Sequence, residues 1–371
     1  MTCKSFILIK IFFSIEFFNA PHKRIFPLQI NAEADFGMRT VPGSGTTAAG
    51  QHSQDITTGY DVDGSAGRED RQSPADFTAG PGASFHAFGI LKAMSIPTRK
   101  LGKTGVDVTI FGLGGEGILR THGYDVQAYE LINHAIDIGI TYFESARAYD
   151  GSESYYGKAL RERRSKIFLT SKSHDRTREG ALAHLHQTLK NMNTDHLDLW
   201  QIHDVRDEYE IDEIFGPGGA LEAFTEAKEK GLVRFIGVTG HHSPSIIKRC
   251  IEQFDFDTVL IPVNAAEPSA LSFIAEVIPV AAAKHMGIIG MKIYFRGLAS
   301  QIPGVETLNP FYRYSLSQPI STAVIGCDDL HQLEENAAFA ELFEPLTAEE
   351  QDELVAFVAP YAQQLMYYKA F

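Results

Sequence analysis

Glu144 and Tyr149 close the run Thr141-Tyr142-Phe143-Glu144-Ser145-Ala146-Arg147-Ala148-Tyr149, a carboxylate ending an apolar alternation and a phenol in the turn beyond it. Gly151-Ser152-Glu153 and Gly157-Lys158-Ala159-Leu160 follow and read as the opening of a helix. Two more reactive groups end apolar runs downstream: Lys172 after Leu169-Thr170-Ser171, and His203 after Leu199-Trp200-Gln201-Ile202. A phenol with a reference pKa near ~10 is protonated at neutral pH and can give up a proton. Taken singly, each of these residues fits an ordinary turn or rim position. Their succession at the ends of consecutive runs points to one proton-handling site.

The elements that must position them alternate with regularity. Residues 98–108 read as a short hairpin punctuated by Gly105, and Val108–Leu113 as a strand ending in glycines. Further strands are expected at 140–144, 167–171, 197–202, 234–239, 257–263, 287–291 and 321–325. Helical patterns lie between them, as at 125–138, where Ala128, Leu131, Ile132, Ala135 and Ile136 recur with helical spacing. Runs such as Val259-Leu260-Ile261 are apolar throughout, as in parallel strands covered on both faces. Eight strand–helix units predict an α/β fold, a (β/α)8 TIM barrel with an N-terminal β-hairpin, and residues 94–371 form that domain. A pattern over 347–366 has no strand before it and opens Thr347-x-x-Glu350, a capping box, so it reads as an extra C-terminal helix.

Residues 1–93 stand apart. The apolar run at 5–18 is interrupted by Lys10 and Glu16 and is too short to span a bilayer. Residues 32–90 are rich in Gly, Ser, Thr, Asp and Pro, and bury too little to offset chain entropy of about 1–2 kcal/mol per residue. The segment is expected to be disordered or a non-native N-terminal extension, with a weak secretion signal as the other reading. The formal net charge of −14 excludes the electrostatic footprint of a nucleic-acid binder. Three dispersed cysteines and no metal-binding motif lead us to expect a reducing, cytoplasmic protein without a dedicated metal site or membrane partner.

Gly112-Leu113-Gly114-Gly115-Glu116-Gly117 satisfies the dinucleotide fingerprint G-x-G-x-x-G, with Glu144 placed as a ribose-binding acid. The chain then continues Ile-Leu-Arg-Thr-His-Gly-Tyr-Asp, which is loop-like, so no helix N-terminus meets a pyrophosphate. These glycines are expected instead to serve a crowded loop at the barrel mouth.

The Thr141–Leu160 stretch, the strand-end Lys172 and the strand-end His203 together resemble the aldo-keto reductase family, over most of residues 98–340. The resemblance implies an NAD(P)H-dependent oxidoreductase that reduces an aldehyde or ketone to an alcohol. Tyr149 would be the proton donor, Lys172 would stabilise the tyrosinate and lower the tyrosine pKa, Glu144 would hold Lys172, and His203 would polarise the small-molecule carbonyl substrate. Toward the cofactor it implies Thr239 at the nicotinamide, Lys292 and Gly297 at the pyrophosphate, and Gly326, Cys327, Asp328, Gln332 and Asn336 at the adenosine. Family habit favours NADPH, whereas Asp328 and Asp329 would repel a 2′-phosphate and lean toward NADH; capping of a helix is their other use. Glu144, Gly240 and Met291 depart from the family's usual aspartate, asparagine and aromatic ring. A non-catalytic nicotinamide-binding sensor or regulatory subunit is therefore the alternative.

Overall fold

The computed structural model describes residues 95–369. The expectations for residues 1–93 lie outside them. Eight strands close a parallel barrel in the order β10-β3-β4-β5-β6-β7-β8-β9. They are β3 (Phe111–Gly117), β4 (Tyr142–Glu144), β5 (Phe168–Ser173), β6 (Leu197–Ile202), β7 (Val233–Thr239), β8 (Thr258–Pro262), β9 (Gly287–Met291) and β10 (Thr322–Cys327). The expected (β/α)8 architecture is present, and so is the hairpin, β1 (Thr98–Lys100) against β2 (Asp107–Thr109), turning through Gly105 at φ 72°.

The hairpin closes the N-terminal end of the barrel. Its Leu101 and Val108 are fully buried against a plug of Tyr142, Phe168, Leu199, Leu260, Ile289 and Val324, one side chain from each of six strands. Burying an aliphatic side chain of this size contributes about 1.5–3 kcal/mol. With that end filled, the rim at the strands' C-terminal ends is left for chemistry.

Outside the barrel, helices bury the apolar stripes read from sequence. In the helix Asp125–Asp137 the buried residues are Ala128, Leu131, Ile132, Ala135 and Ile136. The Thr347–Glu350 capping box forms and opens the helix Ala348–Val358. Proline breaks two long helical patterns, because its ring removes a donor and clashes with the preceding turn. Residues 269–285, one helical pattern by sequence, become Phe273–Glu276 and Ile278–Ala283 around Pro279, and Ala348–Val358 gives way to Ala362–Leu365 past Pro360. One helix, Glu208–Phe215, lies in the segment 204–218, which reads as a loop by sequence, and Asp207 caps it by accepting the Glu210 N–H at 2.9 Å.

The first barrel strand lies further along the chain than expected. Asp107–Thr109 belong to the hairpin, and β3 runs through the glycines instead of ending before them. A Cβ on Gly112 would sit 2.7 Å from the Tyr142 ring, and one on Gly115 would sit 2.6 Å from the Glu144 carbonyl oxygen. These glycines let the strand press against its neighbours. They do not form a mouth loop.

Candidate active site

Glu144 ends β4 with its side chain turned into the barrel, where it is buried. Lys172 stands on β5, and the two strands pair in register through Glu144 and Thr170. The ammonium is only 1% exposed, so it needs partners for all of its protons. It donates to Glu144 Oε1, to the Ser145 carbonyl at 3.0 Å, and toward the Tyr149 hydroxyl at 3.5 Å. Glu144, one methylene longer than the aspartate usual in the resembling family, thus reaches the amine.

Tyr149 is held over this pair by the turn in which its N–H donates to the Ala146 carbonyl at 2.9 Å. Lys172 Nζ lies 4.6 Å from the ring centre, Arg120 covers the ring at 5.0 Å, and His203 meets it edge-on at 5.7 Å. Burial raises the Tyr149 pKa well above its usual value, and the Glu144 and Glu116 carboxylates push it the same way. Burial thus outweighs the lowering expected from Lys172. Burial in turn lowers the Lys172 pKa, against the pull of Glu144. Tyr149 therefore stays protonated and fit to donate.

His203 follows β6, with its N–H on the Ser173 carbonyl at 2.8 Å. Burial, reinforced by Lys172, drives its pKa well below the usual value, so the ring is neutral. Nδ1 is buried without a hydrogen-bond partner among the described residues. The tautomer that leaves Nδ1 bare puts the proton on Nε2, a donor suited to a carbonyl oxygen.

A cleft of about 460 Å³ runs from Glu144 and Tyr149 to the start of the last barrel helix. Of the residues expected at a cofactor, Lys292, Gly297, Gly326, Asp328, Gln332 and Asn336 line it. Thr239 and Cys327 do not. The Thr239 hydroxyl, nearly inaccessible, accepts the Asp204 N–H at 3.0 Å. Cys327, at the end of β10, points into the layer between strands and helices, as alternation past Gly326 requires. Asp329 also lies off the cleft and caps the following helix by accepting the Gln332 N–H at 2.9 Å, whereas Asp328 faces in.

Sequence reasoning missed part of the lining. Gly114, Gly115 and Glu116 come from β3, and Tyr294 and Ser300 from the loop after β9, where Arg296 joins the expected Lys292 and Gly297. Lys292, Phe295, Arg296 and Gly297 all have positive φ, a concentration of backbone strain of the kind that gathers at functional sites. No local pattern announces it, because three of the four are not glycine. Glu116 bridges the mouth, with Oε1 2.8 Å from Arg120 and Oε2 3.3 Å from Arg296. Gly240, where the family usually has asparagine, has a packing reason: a Cβ there would meet Ile247 at 2.4 Å.

Comparison with known proteins settles the family. A sequence profile described as the aldo/keto reductase family matches residues 110–303. The chain belongs to the aldo/keto reductase family. This reductase is 26% identical over 282 residues to the uncharacterized oxidoreductase YqkF of Bacillus subtilis, covering 64% of this chain and 89% of that one. Its fold matches an aldo-keto reductase from Bacillus halodurans in the holo form, with a TM-score of 0.60 at 21% identity, over 71% of this chain and 96% of that one. A Schizosaccharomyces pombe relative, 26% identical over 162 residues, is assigned provisionally as a voltage-gated potassium channel subunit beta; the match covers 39% of this chain and 45% of that one. Family and fold support an NAD(P)H-dependent oxidoreductase with a small carbonyl compound as substrate. The cleft fits such a cofactor: its volume is in the usual ligand range, and Lys292 and Arg296 offer positive charge midway along it. Among the described residues, no helix is long and apolar enough to cross a membrane.

Proposed function

We propose that this reductase converts an aldehyde or ketone to an alcohol, with Tyr149 as the proton donor. The observation that carries the reading is Lys172 Nζ, held between the Glu144 carboxylate and the Tyr149 hydroxyl at the inner end of the cleft. When bound, a reduced nicotinamide supplies the hydride that no side chain can. His203 orients the carbonyl oxygen by a hydrogen bond, and Tyr149 delivers the proton that the forming alkoxide takes up. Lys172 stabilises the phenolate left behind and is itself kept charged by Glu144. Lys292 and Arg296 hold a pyrophosphate, and Asp328 at the adenosine end disfavours a 2′-phosphate, so NADH is the preferred cofactor. Cys250 and Cys327, buried and unpaired among the described residues, support a reducing, cytoplasmic setting.

The channel-subunit relative is the observation behind the second reading, a nicotinamide-binding sensor. The intact Tyr149–Lys172–Glu144 contact favours catalysis over it. Stopped-flow reduction of a panel of simple aldehydes and ketones, wild type against Tyr149→Phe, separates the two. Turnover that the substitution abolishes supports the reductase. Tight cofactor binding with no turnover on any carbonyl supports the sensor.

A further inference from the structure

We propose that Asp204, His241 and His242 form a binding site for a divalent transition-metal ion on the barrel rim beside His203. Asp204 follows β6 and the two histidines follow β7. The two strand ends are tied together: the Asp204 N–H donates to Thr239 Oγ1 at 3.0 Å, and the Val205 N–H to the Thr239 carbonyl at 2.9 Å. Three potential ligand atoms, one from each residue, lie within 4.8 Å of one another. Asp204 Oδ1 is 3.2 Å from His241 Nδ1, and Asp204 Oδ2 is 3.7 Å from His242 Nε2.

The two Asp204–histidine spacings are near what a metal requires, and small side-chain rotations would bring the third ligand pair, within 4.8 Å, into range. Zinc bonds of ~2.0–2.1 Å in tetrahedral geometry set ligand atoms about 3.3 Å apart. Asp204 Oδ1 and His242 Nε2 are buried and have no hydrogen-bond partner among the described residues, a costly state that a cation would relieve. One carboxylate with two imidazoles suits zinc, cobalt or nickel better than calcium or magnesium, and three protein ligands leave a fourth position open.

Two cations oppose the site. Arg206 holds Asp204 Oδ2 through Nε at 2.9 Å and Nη2 at 2.8 Å, and Lys292 is a positive neighbour of His241. The Arg206 side chain is 58% exposed, so it can leave for solvent, and Asp204 Oδ1 is not engaged by it. The ligands come from two strands, 37 positions apart in the chain at their nearest, which is why no local motif betrays them.

Titration of the full chain with cobalt(II), followed by its visible absorption, and with zinc(II) in competition with a chromophoric chelator tests the proposal. Neither measurement depends on the proposed carbonyl reduction. One tightly bound equivalent is expected, weakened at least tenfold by Asp204→Asn and by His242→Ala, with circular dichroism confirming the fold of each variant. His242 is the more exposed ligand, so its substitution provides a test if Asp204→Asn fails to fold. Absence of binding above the chelator control, or binding unchanged in a folded His242→Ala variant, overturns the site.

Discussion

Lys172 and Tyr149, 23 residues apart in the chain, meet at 3.5 Å from Nζ to phenolic oxygen because β4 and β5 end side by side on the barrel rim. The lysine's remaining protons go to Glu144 and the Ser145 carbonyl, so the three residues act as a unit. Tyr149→Phe is expected to lower kcat by ~10²–10⁴, the scale of a lost general acid. Lys172→Met is expected to lower it by ~10²–10³. The double variant should lose less than the product of the two, since groups that act together are not additive. Single-turnover rates at saturating cofactor provide the measurement, and cofactor affinity should stay within about twofold throughout.

Lys292 links cofactor binding to pH. Burial lowers its pKa to about 8, partly offset by the Glu116 carboxylate. The protonated amine attracts a phosphate and the neutral one does not, so affinity should be full below pH 8 and fall as pH rises through that value. The dissociation constant measured by fluorescence titration from pH 6 to pH 10 should rise in wild type. In Lys292→Met it should be weak and nearly flat.

Asp328 faces the cleft while Asp329 caps a helix, so only the first bears on cofactor choice. Asp328→Ser removes a charge that repels a 2′-phosphate. A relief of about 1.4 kcal/mol is a tenfold change in the NADPH-to-NADH affinity ratio. Parallel titrations with both cofactors measure it, and an unchanged ratio removes Asp328 from the argument. Asp329→Ser should instead cost about 1 kcal/mol of stability through loss of its cap, and leave the ratio alone.

Gly115→Ala tests the close approach of β3 to the active carboxylate. The added Cβ would fall 2.6 Å from the Glu144 carbonyl oxygen and 2.8 Å from Ser152 Oγ. Backbone on one side cannot yield as a side chain would, so a loss of about 1–3 kcal/mol is expected. Thermal unfolding reports the loss. Activity should fall as well, because any shift of β4 moves Glu144 off Lys172.

Much of this was legible along the chain because its cause is local. Apolar spacing marks the helix Asp125–Asp137, and Thr347 with Glu350 marks a helix start. The order of Glu144, Tyr149, Lys172 and His203 marks one rim, since each lies at or just beyond the C-terminal end of a parallel strand and such ends converge. The glycine run from Gly112 was misread as a loop because glycine signals freedom in sequence, whereas here it serves close packing between strands. Thr239 and Cys327 were placed at the cofactor by resemblance alone. Their side chains turn elsewhere, one onto the Asp204 N–H and one into the helix layer.

Periodicity and strand-end positions by themselves determined the barrel and the convergence of Glu144, Tyr149, Lys172 and His203 on one rim, because parallel strand ends meet there. The tertiary structure decided how those groups behave. Burial there raises the Tyr149 pKa, where proximity to a lysine by itself suggested lowering. The tertiary structure also brought Glu116, Arg296 and the Asp204–His241–His242 cluster into place from separate parts of the chain. Burial and long-range charge depend on every element packed around a group, and no stretch of sequence holds that information by itself.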